Sequence, residues 1–262
     1  MRNSVLRIAC SIAVVAGVTG QASATDSRNF NVTFKECTEF VGVTPVDRVK
    51  AAALVPNQFK VARLFSTDAT KASIVVRVSR CKSVSVDGGP GKRGTVAHIG
   101  INIESPDLIP APAGNVINNY TVTYASDSEE LVEKLQLAGV PAEFDRNLTY
   151  EFSPMGKPEG ELYAAITTDS TPHWFVHGNT GELAFGPMPF FANWWRSGGG
   201  YSTKMASTFP SISFFDASGV SLFTARSNLV GNLIGGNKMP TFSELPVRGV
   251  FYSAEMRVTV QD

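Results

Sequence analysis

Two histidines four residues apart are the residues whose type and spacing first suggest chemistry. His173 and His177 lie in the segment Pro172–Gly178, and Glu182 follows a few residues later. On a helix, residues four apart share one face, and two imidazoles with a carboxylate form a ligand set that zinc accepts. The three apolar residues between the histidines favour a strand instead, in which the two side chains stand about 13 Å apart. We therefore predict no metal and no cofactor, and His173, His177 and Glu182 remain only an alternative acid–base set.

The densest group of aromatic and methionine side chains lies between Phe185 and Phe209. Two prolines and a triple glycine interrupt this stretch, so we predict an irregular segment. Such a segment can line the mouth of an apolar pocket or can serve as a core lid over an open barrel end. Because Trp194 and Trp195 are neighbours, they would point to opposite faces of a strand. The predicted ligand-binding residues are Phe190, Trp194, Trp195, Tyr201 and Met205.

Other catalytic signatures are missing or accidental. Ser79–Lys82 matches Ser-x-x-Lys formally, but it lies on a predicted strand beside Cys81, and we interpret it as chance. The sequence contains no Gly-x-Ser-x-Gly, Walker or dinucleotide-binding motif. Under an enzyme hypothesis, Lys134 and Lys204 are further candidate residues beside the two histidines and Glu182.

Many strands and two short helices must position these residues. Thr44 and Pro45 predict the start of one helix, which ends before Pro56, and a second helix is predicted from Asp127 to Gly139. Elsewhere β-branched residues alternate with polar ones between turn residues, which is typical of antiparallel strands. We predict a mainly β fold, an antiparallel β-barrel or sandwich with two or so short helices. The predicted strands are 73–79, 95–103, 119–124, 148–152, 161–167, 211–215, 220–226 and 247–260.

The first 24 residues have the features of a secretory signal. Basic residues precede an apolar run at 8–18, and small residues at 22–24 suit cleavage after Ala24. The run is too short to cross a bilayer, and no later stretch reaches 18 apolar residues. We predict a signal peptide at 1–24 and a single secreted β-rich domain at 25–262, extracellular or periplasmic, without a membrane span.

Charge and cysteine content narrow the possible partners. Removal of residues 1–24 would leave 21 basic against 23 acidic residues, and with no basic stripe this balance argues against nucleic-acid binding.

Cys37 and Cys81 would remain as an even pair in an oxidising compartment, so we predict a disulfide between them. The sequons that begin at Asn31, Asn119 and Asn147 matter only in a host that glycosylates.

Three short motifs occur in an order found in a known family. Val55–Phe59 has the pattern Val-Pro-x-x-Phe after an early helix, Tyr120–Tyr124 is a tyrosine-rich middle strand, and Gly139–Pro141 is a Gly-x-Pro turn after a helical stretch. In this layout the chain resembles the acetoacetate-decarboxylase-like β-barrel superfamily. The resemblance implies a β-barrel with a cavity for a small molecule.

The resemblance also implies where catalytic residues would lie. In that family the Gly-Phe-Pro turn leads into two lysines, one of which forms a Schiff base with the substrate ketone. The corresponding residues here are Ala142 and Glu143, and the family's preceding Arg–Glu pair falls on Leu135 and Gln136. Neither Ala142 nor Glu143 is an amine nucleophile. The resemblance therefore predicts that decarboxylase chemistry is absent.

These observations predict a secreted, non-catalytic β-barrel protein that binds a small, largely apolar molecule. One alternative is a secreted lyase, cyclase or hydrolase that uses His173, His177 and Glu182 in the same cavity. A catalytic histidine should then face a cavity beside a carboxylate. Another alternative is a surface-interaction protein without a pocket, in which the aromatic segment would form an exposed, flat patch.

Overall fold

The computed structural model describes residues 28–107, 116–155, 159–166, 174–198, 200–236, 238–239 and 242–261. The predicted signal peptide and His173 lie outside these residues. Within them the fold is mainly β, with thirteen strands and three short helices. The elements are β1 (Phe30–Asp47), α1 (Arg48–Ala52), β2 (Lys71–Val86), β3 (Lys92–Asn102), β4 (Val116–Ser126), α2 (Glu129–Leu137), β5 (Ala142–Phe144), β6 (Thr149–Pro154), β7 (Gly160–Ile166), β8 (Trp174–Thr180), β9 (Leu183–Gly198), β10 (Tyr201–Asp216), β11 (Ser221–Thr224), α3 (Leu229–Ile234), β12 (Lys238–Met239) and β13 (Val247–Gln261).

Seven strands close into a barrel. Their order is β3-β2-β1-β13-β10-β9-β4, and pairing of β4 with β3 completes the ring. The pairings are antiparallel except that β4 runs parallel to β9 and to the short strand β5. The predicted β-barrel is confirmed, and β4 makes it a mixed rather than a purely antiparallel one.

A second sheet, in the order β12-β11-β8-β7-β6, packs on the outer face of the barrel. Ile99 and Ile101 of β3 belong to the buried cluster shared with this sheet, together with Leu162 and Trp174. Val96 of the same strand belongs instead to the cluster that fills the barrel. Because side chains alternate along a strand, β3 therefore supplies both cores, one from each face.

The predicted first helix is wrong at its start. Thr44 and Pro45 pair with β2 as part of β1, and the helix α1 has only five residues. Asp47 is its N-cap, and its Oδ1 accepts a hydrogen bond from the Lys50 backbone N–H at 3.0 Å. The Thr-Pro cap signal is local, whereas continued pairing across the sheet satisfies backbone hydrogen bonds and overrides it.

The predicted second helix exists and closes one end of the barrel. α2 begins after Ser128, whose side chain accepts from the Leu131 backbone N–H. Asp127, the predicted cap, instead accepts from the Thr95 backbone N–H at 2.7 Å. Leu131 and Leu135 are buried with the residues that fill the barrel. The amphipathic pattern in the sequence thus reflects burial of one helix face against the barrel end.

The segment predicted to be irregular is a long β-hairpin, so that prediction is wrong. β9 and β10 pair antiparallel from Gly198 and Tyr201 onward. The register shifts begin between Phe209 and Ile212, near the end of the hairpin that contains the prolines. Proline has no backbone N–H to donate to a neighbouring strand, but a sheet accepts it where the pairing is irregular. The prolines of this segment therefore do not end the strands.

A disulfide joins Cys37 and Cys81, which face each other across β1 and β2 with a Cα–Cα distance of 4.0 Å. Asn119, the start of one sequon, is 1% exposed, so the folded chain leaves no room for a glycan there. No helix among the described residues is long and apolar enough to cross a membrane.

Candidate functional site

Five polar or aromatic side chains form a group inside the mainly apolar barrel, which we call the interior cluster. Its members come from five strands in turn, β1, β2, β3, β4 and β9, and are Glu39, Arg77, His98, Tyr124 and Trp194. Each is buried, with at most 7% of its surface exposed. Burial of polar groups is costly unless they find partners, so the partners of each member define what the cluster can do.

The two charged members of the interior cluster pair with each other. Arg77 Nε donates to Glu39 Oε2 at 2.8 Å, and the side chains are 9% and 1% exposed. The guanidinium also lies 5.8 Å from the ring centroid of Phe209. This pairing leaves the barrel interior close to neutral while placing a cation beside the other cluster members.

His98 lies at the centre of the aromatic part of the cluster. Its ring stacks on Trp194 with 3.6 Å between centroids and meets Tyr124 edge-on at 4.8 Å. Nε2 shares a hydrogen bond of 3.0 Å with Thr121 Oγ1. Burial, assisted by the charge of Arg77, holds the pKa of His98 well below its usual value. The imidazole is therefore neutral at neutral pH, with one nitrogen donor and one acceptor.

A glycine allows the indole to approach the barrel wall. A β-carbon at Gly100 would lie 2.6 Å from the Trp194 ring and 2.6 Å from the Tyr120 carbonyl oxygen. Only the absence of a side chain lets the indole lie flat against β3 at this point. The stacking of Trp194 on His98 therefore depends on Gly100, which lies on the same strand as His98.

Three polar atoms that face the barrel interior have no hydrogen-bond partner among the described residues. They are the Tyr124 hydroxyl, Trp194 Nε1 and the Ser79 Oγ, all buried. Burial also raises the pKa of Tyr124, so its phenol keeps its proton. An unsatisfied buried donor costs about 1–3 kcal/mol. An acceptor atom of a bound molecule would satisfy the indole or the phenol donor, both of which belong to rings in contact with His98.

None of the lysines whose burial the structure describes is buried, so none of them places an amine inside the barrel. Lys134 pairs with Asp87 at 3.0 Å, and Lys204 pairs with Asp107 at 2.7 Å. Ala142 pairs with Tyr124 across β4 and β5 and is buried among the residues that fill the barrel. The position that the resemblance assigns to a family lysine therefore borders the interior cluster and carries a methyl group.

The predicted ligand-binding residues do not form one site. Trp194 and Met205 pair across β9 and β10 and are buried in the barrel, with Phe190 half-buried against the same cluster. Trp195 belongs to the cluster between the barrel and the second sheet. Tyr201 is half-buried where β10 begins. The two neighbouring indoles do point to opposite faces, as predicted, and the aromatic segment is not one exposed patch.

Two members of the predicted acid–base set, His177 and Glu182, lie within the described residues, and both are on the surface rather than in the interior cluster. His177 is on β8, as the strand prediction requires, and its Nε2 is 2.7 Å from Glu161 Oε1. Both side chains are about half exposed, at 45% and 51%. Glu182 is exposed in the turn before β9. Across the described ranges no group of three or more His, Cys, Asp or Glu side chains could hold a metal ion.

Sequence reasoning missed most of the interior cluster. A single charge within an apolar strand, as in Val76-Arg77-Val78, is the signal that was available. His98 lies in a similar setting between Ala97 and Ile99. A polar residue at an inward position of a strand is either paired or functional, so this pattern indicates Arg77 and His98 as candidate site residues.

No family model and no curated protein matches this chain. Solved structures do match it over most of its length. Acetoacetate decarboxylase aligns with a TM-score of 0.54 and 10% identity over 87% of this chain and 88% of that one. The enduracididine biosynthesis enzyme MppR in complex with pyruvate aligns with a TM-score of 0.52 and 15% identity over 92% of each chain. An acetoacetate decarboxylase-like enzyme from Sphingomonas wittichii RW1 aligns with a TM-score of 0.50 and 13% identity over 95% of this chain and 97% of that one.

At such low identity the likeness shows the fold alone. The chain has the acetoacetate-decarboxylase-like β-barrel fold, which the three sequence motifs predicted. A shared fold does not transfer an activity, because function depends on the side chains placed on it.

Proposed function

We propose that this chain is a secreted β-barrel protein that binds a small, largely apolar molecule inside the barrel without Schiff-base chemistry. The observation that carries the proposal is the pair of unsatisfied donors, Trp194 Nε1 and the Tyr124 hydroxyl, beside the large apolar cluster that fills the barrel. The ligand would carry one acceptor, such as a carbonyl oxygen, on an apolar body.

The chemistry of the interior cluster supports binding rather than covalent catalysis. A Schiff base needs an unprotonated amine beside the substrate carbonyl. The described residues offer a guanidinium already paired with Glu39 and a neutral imidazole, and neither forms an imine. Acetoacetate decarboxylase and the pyruvate complex of MppR share the fold, so a small carbonyl compound is the natural first ligand class to examine.

Secretion is the second part of the proposal. The basic and apolar pattern of residues 1–24 supports it. The Cys37–Cys81 disulfide is compatible with an oxidising compartment. Sequencing the N-terminus of protein recovered outside the cytoplasm should give Thr25 as the first residue, and recovery of an intact N-terminus would contradict this part.

Binding is tested by fluorescence transfer from tryptophan to the neutral probe N-phenyl-1-naphthylamine. The matched variants are Trp194→Phe and Trp195→Phe, since only the first indole lies inside the barrel. We expect saturable transfer in the wild type and in Trp195→Phe, and half-saturation only at a higher probe concentration in Trp194→Phe, which alters the wall of the barrel interior. Absence of transfer in the wild type, or a shift in half-saturation only in Trp195→Phe, would contradict binding in the barrel.

The acceptor group is tested by displacement of the probe. We expect 2-undecanone to displace it more strongly than undecane, because only the ketone supplies an acceptor. The variant Tyr124→Phe should lower the affinity for the ketone by about 5- to 10-fold, which corresponds to one hydrogen bond, and leave the affinity for the alkane unchanged. Equal displacement by the two compounds would argue against the hydrogen-bonded part of the proposal.

A further inference from the structure

A second buried cation lies outside the barrel interior, at the junction with the second sheet. Arg248 of β13 is 6% exposed. Its guanidinium carbon is 4.1 Å from the ring centroid of Phe152 on β6 and 4.4 Å from that of Phe215 on β10. Phe215 is its register partner in the barrel, whereas Phe152 belongs to the other sheet. The guanidinium therefore lies between elements of both layers.

This cation lacks the anionic partner that its burial calls for. Among the described residues no carboxylate forms a salt bridge with Arg248, in contrast to Arg77, which has Glu39. Its Nε is buried with no hydrogen-bond partner, and its Nη1 reaches only Thr38 Oγ1, at a long 3.5 Å. Thr38 already shares a hydrogen bond of 3.1 Å with the Tyr150 hydroxyl. Among the described residues, Nε thus has no acceptor and Nη1 has only this distant one.

The two phenyl rings compensate only part of this deficit. Their π faces attract a cation, but they offer no lone pair in the plane of the guanidinium, where its N–H groups point. Burial accordingly lowers the pKa of Arg248. A planar fork of donors flanked by apolar rings matches the recognition of carboxylate and phosphate groups.

We propose that Arg248 is the centre of an oxyanion site between the barrel and the second sheet, which binds a carboxylate or phosphate group through the guanidinium N–H donors. This site is separate from the barrel interior, and the proposal does not depend on the function proposed for that interior. Thr38 Oγ1, which lies beside Nη1, contributes a hydroxyl to the same site.

The site is tested with sodium acetate and sodium phosphate, each compared with sodium chloride at equal ionic strength. In protein labelled with ¹⁵N-arginine, we expect a saturable shift of the Arg248 Nε–H cross-peak with acetate, phosphate or both. The same anions should raise the unfolding temperature by about 3–5 °C at ten times their Kd. A response to one anion only identifies the preferred oxyanion, and both results support the site.

Variants distinguish specific binding from general salt effects. Arg248→Met removes the donors, and Arg257→Met removes an exposed arginine of the same strand as a matched control. We expect Arg257→Met to keep the response and Arg248→Met to lose it. If Arg248→Met does not fold, Arg248→Lys should weaken the response by tenfold or more, because it lacks the planar fork. A cross-peak that moves equally in chloride, or a response kept by a folded Arg248 variant, would overturn the proposal.

Discussion

Neutralising Glu39 should destabilise the barrel far more than neutralising an exposed carboxylate with an equally short ion pair. Glu39 and Arg77 are 2.8 Å apart with 1% and 9% of their side chains exposed. The variant Glu39→Gln keeps the shape of the side chain but leaves the Arg77 charge in the barrel without a counterion. Breaking a buried pair in this way costs about 3–5 kcal/mol.

A surface pair in the same chain provides the control. Lys60 and Glu104 are also 2.8 Å apart, but their side chains are 75% and 56% exposed. Solvent screens such a pair, so Glu104→Gln should change the free energy of unfolding by no more than about 1 kcal/mol. The two substitutions are chemically identical and differ only in the burial of the pair that they break.

Urea unfolding followed by circular dichroism measures both changes. For a domain of this size, Glu39→Gln should also lower the unfolding temperature by about 6–20 °C. The double variant Glu39→Leu/Arg77→Met removes both charges and should recover much of the loss, since it leaves no unpaired ion. A cost of less than about 1 kcal/mol for Glu39→Gln, or no recovery in the double variant, would refute the reasoning.

Three further changes probe the cluster and its wall. Because the pKa of His98 is lowered in the folded state, the unfolded chain binds its proton first, so stability should fall by up to about 1.4 kcal/mol per pH unit below roughly pH 6.5. Urea midpoints across this range check the slope, and His98→Gln should reduce it. Gly100→Ala should cost about 1–3 kcal/mol in thermal unfolding because its β-carbon would strike the packed indole, whereas Gly198→Ala meets nothing within 4 Å and should be neutral. Replacing Cys37 and Cys81 together by Ala should cost about 4 kcal/mol from their separation of 44 residues, and unchanged urea midpoints would contradict this.

Local pattern was enough to predict the class of fold. Alternation at 95–103 corresponds to β3, and the strand at 247–260 corresponds almost residue for residue to β13. The cysteine pair was equally accessible, because only Cys37 and Cys81 remain outside the predicted signal. These features were predictable because periodicity and composition act within a single element.

Local pattern failed where a distant strand competes with it. Thr44 and Pro45 form a good helix start, yet the pairing of β1 with β2 holds both residues in a strand. The prolines of β9 look like breaks in the sequence, yet β10 pairs along most of the segment. In each case hydrogen bonds to another part of the chain outweigh the local preference.

The candidate site was decided by the tertiary structure. The sequence shows that Trp194 and Trp195 face opposite ways, but only the closure of the ring by β4 shows which of them lies inside. Glu39, Arg77 and His98 look like isolated polar residues on separate apolar strands, and strand order and register bring them together. Sequence alone determines which face of a strand a residue occupies, because side chains alternate along it. What that face meets depends on pairings between strands far apart in the chain, which no local pattern encodes.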